Sequence, residues 1–189
     1  MKFKLNDIVK RVYSLLDENE TIIEERVEYG DPGTMLRGLI IDLIPDAARV
    51  VLNSAPLSAV DEYRSLRDLP VEKRGSQTLL RLPDDFLRLV CFKMNGTERG
   101  VTEPLAFGGE EYMLRAAGST RRSRPAVAIS HAGAEKTLEI FGDCGAVAER
   151  LDYLAVPAID GQHIDLPPGL FGDVCAKTAE MVTAIIERP

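Results

Sequence analysis

The sequence predicts an α+β fold in which helices at both termini, a helical-bundle part, flank a β-rich insertion with antiparallel hairpins. Three observations predict it. Apolar residues recur at helical spacing up to Ser54 and again after Pro167; short strand-like runs separated by turn signals fill the middle; and Asn95-Gly96 marks a hairpin. With 189 residues, 45% apolar and 28% charged, the chain reads as a single domain, 1–189, with 1–60 and 167–189 helical and 76–166 β-rich.

Leu5, Ile8, Val9, Val12, Leu15 and Leu16 form one apolar stripe and predict the first helix. Asp17-Glu18-Asn19-Glu20 ends it, and Asp31-Pro32-Gly33 is a turn signal. Leu36, Ile40, Leu43, Ala47, Val50 and Val51 predict a second helix, closed by Asn53-Ser54-Ala55-Pro56. Pro45 inside it removes a backbone hydrogen bond, so a kink or break is expected there. Asp61 to Gly75 reads as a polar linker. Gln77 to Leu82 and Leu87 to Met94 read as strands, and Asn95-Gly96 supplies two residues tolerant of positive φ, with Thr97 to Thr102 as the return strand. Glu110 to Ala117 reads as a short helix. Ala126 to Ser130 and Thr137 to Phe141 are strands joined by a loop at His131-Ala132-Gly133-Ala134, and Leu151 to Val156 and Ile164 to Leu166 are two more. Pro167-Pro168-Gly169 suits a helix start. Leu170, Val174, Lys177, Met181, Ala184 and Ile185 then continue the helical spacing.

Composition narrows the function. The net charge is −7, and an acidic chain gains little from counterion release, which argues against a DNA-coating protein. Aromatics are 6% with no tryptophan, too few for a base-stacking surface. No apolar run approaches the ~20 residues that span a bilayer. Met1-Lys2-Phe3-Lys4-Leu5 is followed by Asn6 and Asp7 rather than an apolar signal stretch. Cys91, Cys144 and Cys175 are odd in number and widely spaced, so a soluble protein made in a reducing compartment is expected.

Signals for catalysis are thin. His131 and His163 have no nucleophile or metal-ligand partner at a local spacing, and read as loop residues. The cysteines lack the paired spacing of a zinc site. Asp84-Asp85 are adjacent, so on an extended chain they face opposite ways; after Pro83 they suit a turn in which Asp binds backbone amides. Gly108-Gly109 lacks the lysine and spacing of a phosphate loop, and no serine sits in a nucleophile elbow. The sequence does not read as an enzyme, and no cofactor or metal is expected.

Charge is distributed unevenly. Asp17 to Glu28 holds six acids and one arginine, whereas Arg115, Arg121, Arg122 and Arg124 fall in a stretch with no acid. Both stretches read as solvated loops or as complementary patches. In the second case the Arg115–Arg124 loop is a candidate assembly surface that docks on an acidic partner, such as the acidic segment of a neighbouring copy in a head-to-tail ring. Contact with DNA phosphate is a third option.

The run Leu82-Pro83-Asp84-Asp85-Phe86-Leu87-Arg88-Leu89-Val90 resembles the LP-x-DF-x-R element of tailed-bacteriophage and prophage neck proteins, the head–tail connector or head-completion adaptors below the portal. Arg124-Pro125-Ala126-Val127-Ala128-Ile129 looks like their RP step into a strand, and Thr137-Leu138-Glu139-Ile140-Phe141 like the strand that follows. Leu151-Asp152-Tyr153-Leu154-Ala155-Val156-Pro157 then leads to a second Leu-Pro step, Leu166-Pro167. The arginine and acidic segments have no counterpart in that pattern.

The resemblance implies a virion structural protein in the neck, assembled in the host bacterial cytoplasm as a self-associating ring. Its partners would be the portal and stopper or tail proteins, with DNA only as passing cargo and no membrane. A net-negative lumen suits DNA passage. It also implies that the helices form the ring body, that the β-rich part projects toward a partner, and that Ile185 to Pro189 order only on docking. From the residues alone, the alternative is a small interaction or regulatory module that binds an acidic partner through Arg115–Arg124. A hydrolase using Asp84 or Asp85 ranks last.

Overall fold

A computed structural model describes residues 1–17, 32–60, 62–74, 77–118, 125–132, 135–142 and 145–187. In chain order its elements are β1 (Lys2–Lys4), α1 (Leu5–Asp17), α2 (Pro32–Ser54), β2 (Arg64–Pro70), β3 (Glu72–Arg74), β4 (Gln77–Arg81), β5 (Phe86–Met94), α3 (Glu110–Ala116), β6 (Ala126–Ala132), β7 (Glu135–Phe141), β8 (Val147–Ala155), β9 (Ile159–Asp160), β10 (His163–Asp165) and α4 (Phe171–Ile186). The fold is mixed α and β, with four α-helices and three antiparallel sheets among the described residues. It divides into two compact units, one made of 1–62 with 157–189 and the other of 63–156. Helices and strands are not cleanly sorted between termini and middle: β1, β9 and β10 belong to the first unit, and α3 lies among the strands of the second.

In the first unit α1, α2 and α4 pack on one another. Leu5, Ile8, Val9, Val12 and Leu16 are buried, as the stripe of α1 predicts. Each such side chain, fully buried, contributes ~1.5–3 kcal/mol. The other two stripes are displaced. On α2 the buried residues are Ile40, Ile44, Ala47, Ala48, Val51 and Leu52, while Val50 is exposed. On α4 they are Val174, Cys175, Thr178, Ala179 and Val182, while Ile185 is exposed. Ala47, Ala48, Cys175 and Ala179 are small, and small side chains let helix axes approach closely; a reading that favours large hydrophobes misses them. Of the kink or break expected at Pro45, the break does not occur: α2 runs through it as one helix. Flanking Ile44 and Ala47 are buried, so packing on both sides outweighs the one hydrogen bond Pro45 removes. A 3-10 turn, Pro168–Leu170, opens α4, which continues through Ile186; of the segment 185–189 expected to order on docking, 188 and 189 lie outside the described residues. β1, absent from the sequence reading, pairs with β10 (Phe3 opposite Ile164), which pairs with β9.

In the second unit the sheets β2-β8-β5 and β3-β4-β7-β6 share one core that includes Leu80, Phe86, Leu89, Phe92, Val127, Leu138, Leu151 and Tyr153. The stretch read as a polar linker forms β2 and β3 instead. Both are outer strands, exposed over most of their length, so their polar composition disguised them. Asp68, at φ 53°, interrupts the β2 ladder. The turn after β5 forms, with the Thr97 N–H donating to the Met94 carbonyl at 3.2 Å, but only Gly96 (φ 83°) is left-handed. The return strand shrinks to one bridge, Phe92 opposite Val101, with N–H···O distances of 2.8 and 2.7 Å. A Cβ on Gly100 would lie 2.5 Å from Cys91 Sγ, so that crossing needs glycine. β8 pairs with β5 along the opposite edge.

Candidate functional site

Of the four arginines in the segment read as a loop, Arg115 alone lies among the described residues. Arg115 is helical, on α3; its side chain is only 8% exposed and pairs with Glu111 at 3.3 Å. Arg121, Arg122 and Arg124 lie outside the described residues, as does the acidic stretch 18–28 proposed to receive them.

α3 is anchored by its flanks and by its inner face. The Leu105 N–H donates to the Val127 carbonyl at 2.7 Å, tying the lead-in to β6. The Phe107 ring lies 4.8 Å from that of Tyr112, and Tyr112 meets Phe141 edge-on at 5.4 Å. The buried Tyr112 hydroxyl donates to Glu139 Oε2 at 2.8 Å. Burial, then that bond and the carboxylate's charge, raise the Tyr112 pKa above the ordinary tyrosine value. Glu139 is itself buried on β7, where strand alternation alone would turn it to water. Beneath α3 a recess of about 140 Å³ is lined by residues including Thr78, Arg115, Glu139 and Phe141. No local pattern announces this arrangement, because its groups come from three separate segments. On its outer side the same segment exposes Phe107 (61%), Met113 (59%) and Leu114 (41%).

Leu82 to Val90 builds a turn and a strand, as read. The Phe86 N–H donates to the Pro83 carbonyl at 3.0 Å, closing the turn. The Asp85 side chain does not bind backbone amides. It pairs with the Arg64 guanidinium and accepts the Tyr153 hydroxyl at 3.1 Å, while its carbonyl accepts the Val156 N–H at 2.7 Å. Phe86 is buried and stacks on Tyr153, with centroids 5.6 Å apart. Burial, then the bond to Asp85, raise the Tyr153 pKa. Asp84 is exposed and takes no part, so the two carboxylates do not converge. Proline, aspartate and phenylalanine of this run each have a fold-building role: closing the turn, tethering it to β2 and β8, and filling the core.

On β8, Arg150 Nε lies 3.0 Å from Asp152 Oδ2, and Ser65 on β2 donates to Asp152 Oδ1 at 2.7 Å. The neighbouring Cys91 side chain first, then the Asp152 carboxylate, moves the Arg150 pKa up. Cys175 is buried, and desolvation pushes its thiol up to about 11. Cys144 is outside the described residues. His131 lies within β6 rather than in a loop, exposed at the edge, and His163 lies on β10 opposite Lys4. Among the described residues no group of three or more His, Cys, Asp and Glu side chains is placed to hold a metal, and no helix is long and apolar enough to cross a membrane.

No protein-family model matches the chain, and a comparison with curated proteins finds no match.

Proposed function

We propose that this chain is a structural adaptor of the phage-neck kind, with no catalytic cycle, no cofactor and a place in the virion between portal and tail. The observation that carries the reading is the order of its short motifs. Leu82-Pro83-Asp84-Asp85-Phe86 precedes the Arg124-Pro125 step, and Leu166-Pro167 opens the last helix. Each motif falls at an entry to a regular element, namely β5, β6 and α4. In this reading α1, α2 and α4 form the ring body, and the β-rich part, with 87–102 and 137–156, projects toward a stopper or tail protein. The acidic net charge keeps passing DNA from adhering to a lumen made of many copies.

The alternative, a module that grips an acidic partner through Arg115–Arg124, has less support. One of its four arginines is engaged within α3 and the recess. The test is native mass by light scattering, for the chain alone and mixed with the portal protein of the same phage or prophage. A ring-sized species or a portal complex is expected. A monomer that ignores the portal would overturn the proposal and move the interaction module to the front.

A further inference from the structure

We infer that Asn95 is a spontaneous modification site, at which the Gly96 backbone nitrogen closes on the Asn95 side-chain amide and converts it to isoaspartate. Asparagine side chains are thermolabile, and the slow step is approach of the next residue's amide nitrogen to Cγ. Glycine hinders that approach least, because it has no Cβ and a wide choice of backbone conformations. Of the four asparagines in the chain, Asn95 alone precedes a glycine. The fold leaves this pair open. Both residues are exposed, Gly96 sits at φ 83°, and a Cβ placed on it would meet nothing beyond its chain neighbours within 4 Å. The turn is pinned on either side of the reacting bond. The Asn95 N–H donates to the Val147 carbonyl at 3.2 Å, and the Thr97 N–H and hydroxyl donate to the Met94 carbonyl at 3.2 and 2.8 Å. The amide between them is left out: among the described residues the Gly96 N–H has no acceptor and the Asn95 side chain no hydrogen-bond partner. Most backbone N–H groups in a fold are engaged and so are held back from such chemistry.

The Gly96 nitrogen gives its proton to solvent base and forms a bond to Asn95 Cγ. The bond from Cγ to the side-chain nitrogen breaks, and that nitrogen leaves as ammonia. Water then opens the succinimide at one carbonyl or the other, so asparagine plus water gives ammonia plus aspartate or isoaspartate. In the isoaspartate product the main chain runs through Cβ and Cγ, one methylene longer, and a carboxylate stands at the turn. The other asparagines are held differently. Asn6, in the first turn of α1, accepts Arg37 Nη2 at 2.7 Å, and Asn53 lies within α2 before Ser54. Helical dihedrals keep the next amide nitrogen away from Cγ. Asn19 lies outside the described residues. Asp160-Gly161 offers a second glycine, at φ 58°, but Lys2 Nζ lies 3.0 Å from that carboxylate and favours its ionised form, which resists attack. The site depends on the turn alone and does not rest on the neck reading.

Incubation of the full, folded chain at mildly alkaline pH tests it. Isoaspartate is read by transfer of a labelled methyl group from S-adenosylmethionine by an isoaspartyl methyltransferase, and its position is found by peptide mass mapping. Label is expected at Asn95 first, about tenfold or more faster than at Asn6 or Asn53, which precede residues bearing a Cβ. The rate should rise with pH, because hydroxide removes the amide proton. A synthetic peptide covering 92–98 gives the rate without the fold, and the folded chain is expected to come within about tenfold of it, since the Gly96 N–H is already free of a backbone acceptor. Asn95→Gln is expected to lose the label and keep the wild-type melting curve, because the side chain is exposed. An Asn95 still intact when the peptide has largely converted would overturn the proposal. Equal labelling at every asparagine, or label that persists in Asn95→Gln, would overturn it too.

Discussion

Both units bury polar side chains, but they satisfy them over very different distances. In 1–62 with 157–189, the buried polar side chain among the described residues is Thr178, whose hydroxyl donates at 2.7 Å to the Val174 carbonyl one turn back in the same helix. In 63–156, Glu139 and Asp152 are buried, and the hydroxyls that donate to them, on Tyr112 and Ser65, lie 27 and 87 residues away in sequence. A helical core of this kind is specified by which face is apolar. A sheet core with long-range polar links is also specified by register, because a one-residue slip carries every side chain to the other face. A buried carboxylate deprived of its partner penalises that slip further.

The contrast can be broken most directly in the β unit. Phe92→Ala removes a fully buried ring from the shared core of two sheets, and a loss of ~3–5 kcal/mol is expected. Hydrogen exchange should show peptides of β4 and β7 in the opposite sheet losing protection along with those of β5 and β8; unchanged protection in β4 and β7 would mean the two sheets do not share one core. Next in size is Asp152→Ala, which leaves the Ser65 hydroxyl without its acceptor and Arg150 without its counter-ion. Loss of ~1–3 kcal/mol is expected, with measurable coupling to Ser65→Ala in a double-mutant cycle. Additive single effects would remove the polar-link half of the comparison.

In the helical unit the expected sign is opposite. Pro45→Ala restores an amide donor within α2, and a gain of about 1 kcal/mol is expected in chemical denaturation. A loss instead would show that the proline ring contributes packing. The smallest effect is a pH slope. Tyr112 and Tyr153 have pKa values raised in the folded state, so the unfolded chain ionises first. Their contribution to stability is complete below the ordinary tyrosine value and is lost as pH rises through the folded values. Stability should therefore fall with increasing pH in the alkaline range, more gently in Tyr112→Phe; an identical slope in that variant would discount the Glu139 link.

The elements with local causes were legible in the sequence. α1 shows its stripe, the Pro83 turn and β5 show a proline followed by an apolar run, and Glu110 to Ala117 shows a short helix close to α3. What was not legible depended on partners far along the chain. β2 looks like a linker because, as an outer strand, it has little to bury, and its pairing with β8 is decided by residues 147–155. Asn95-Gly96 looks like a tight hairpin, yet the chain after it pairs with β5 only through Val101 opposite Phe92. The candidate site behaves in the same way. Arg115 shares a run with other arginines in sequence, whereas in the fold its side chain is placed by Glu111 and the recess beside Glu139. Buried Glu139 reads as a solvent-facing strand residue until α3 covers it.

The pairing of β1 with β10 has a consequence for synthesis. The first unit is assembled from two stretches of chain, so α1 and α2 emerge from the ribosome before α4 and β10, on which they pack, have been made. The intervening 63–156 is continuous and can complete both of its sheets first. At ~5–20 residues per second, translating that stretch takes roughly 5–20 s. During that interval the apolar faces of α1 and α2 have each other but not their third helix, which makes the nascent amino-terminal segment the natural client of a chaperone and leaves closure of the helical unit as the last folding step.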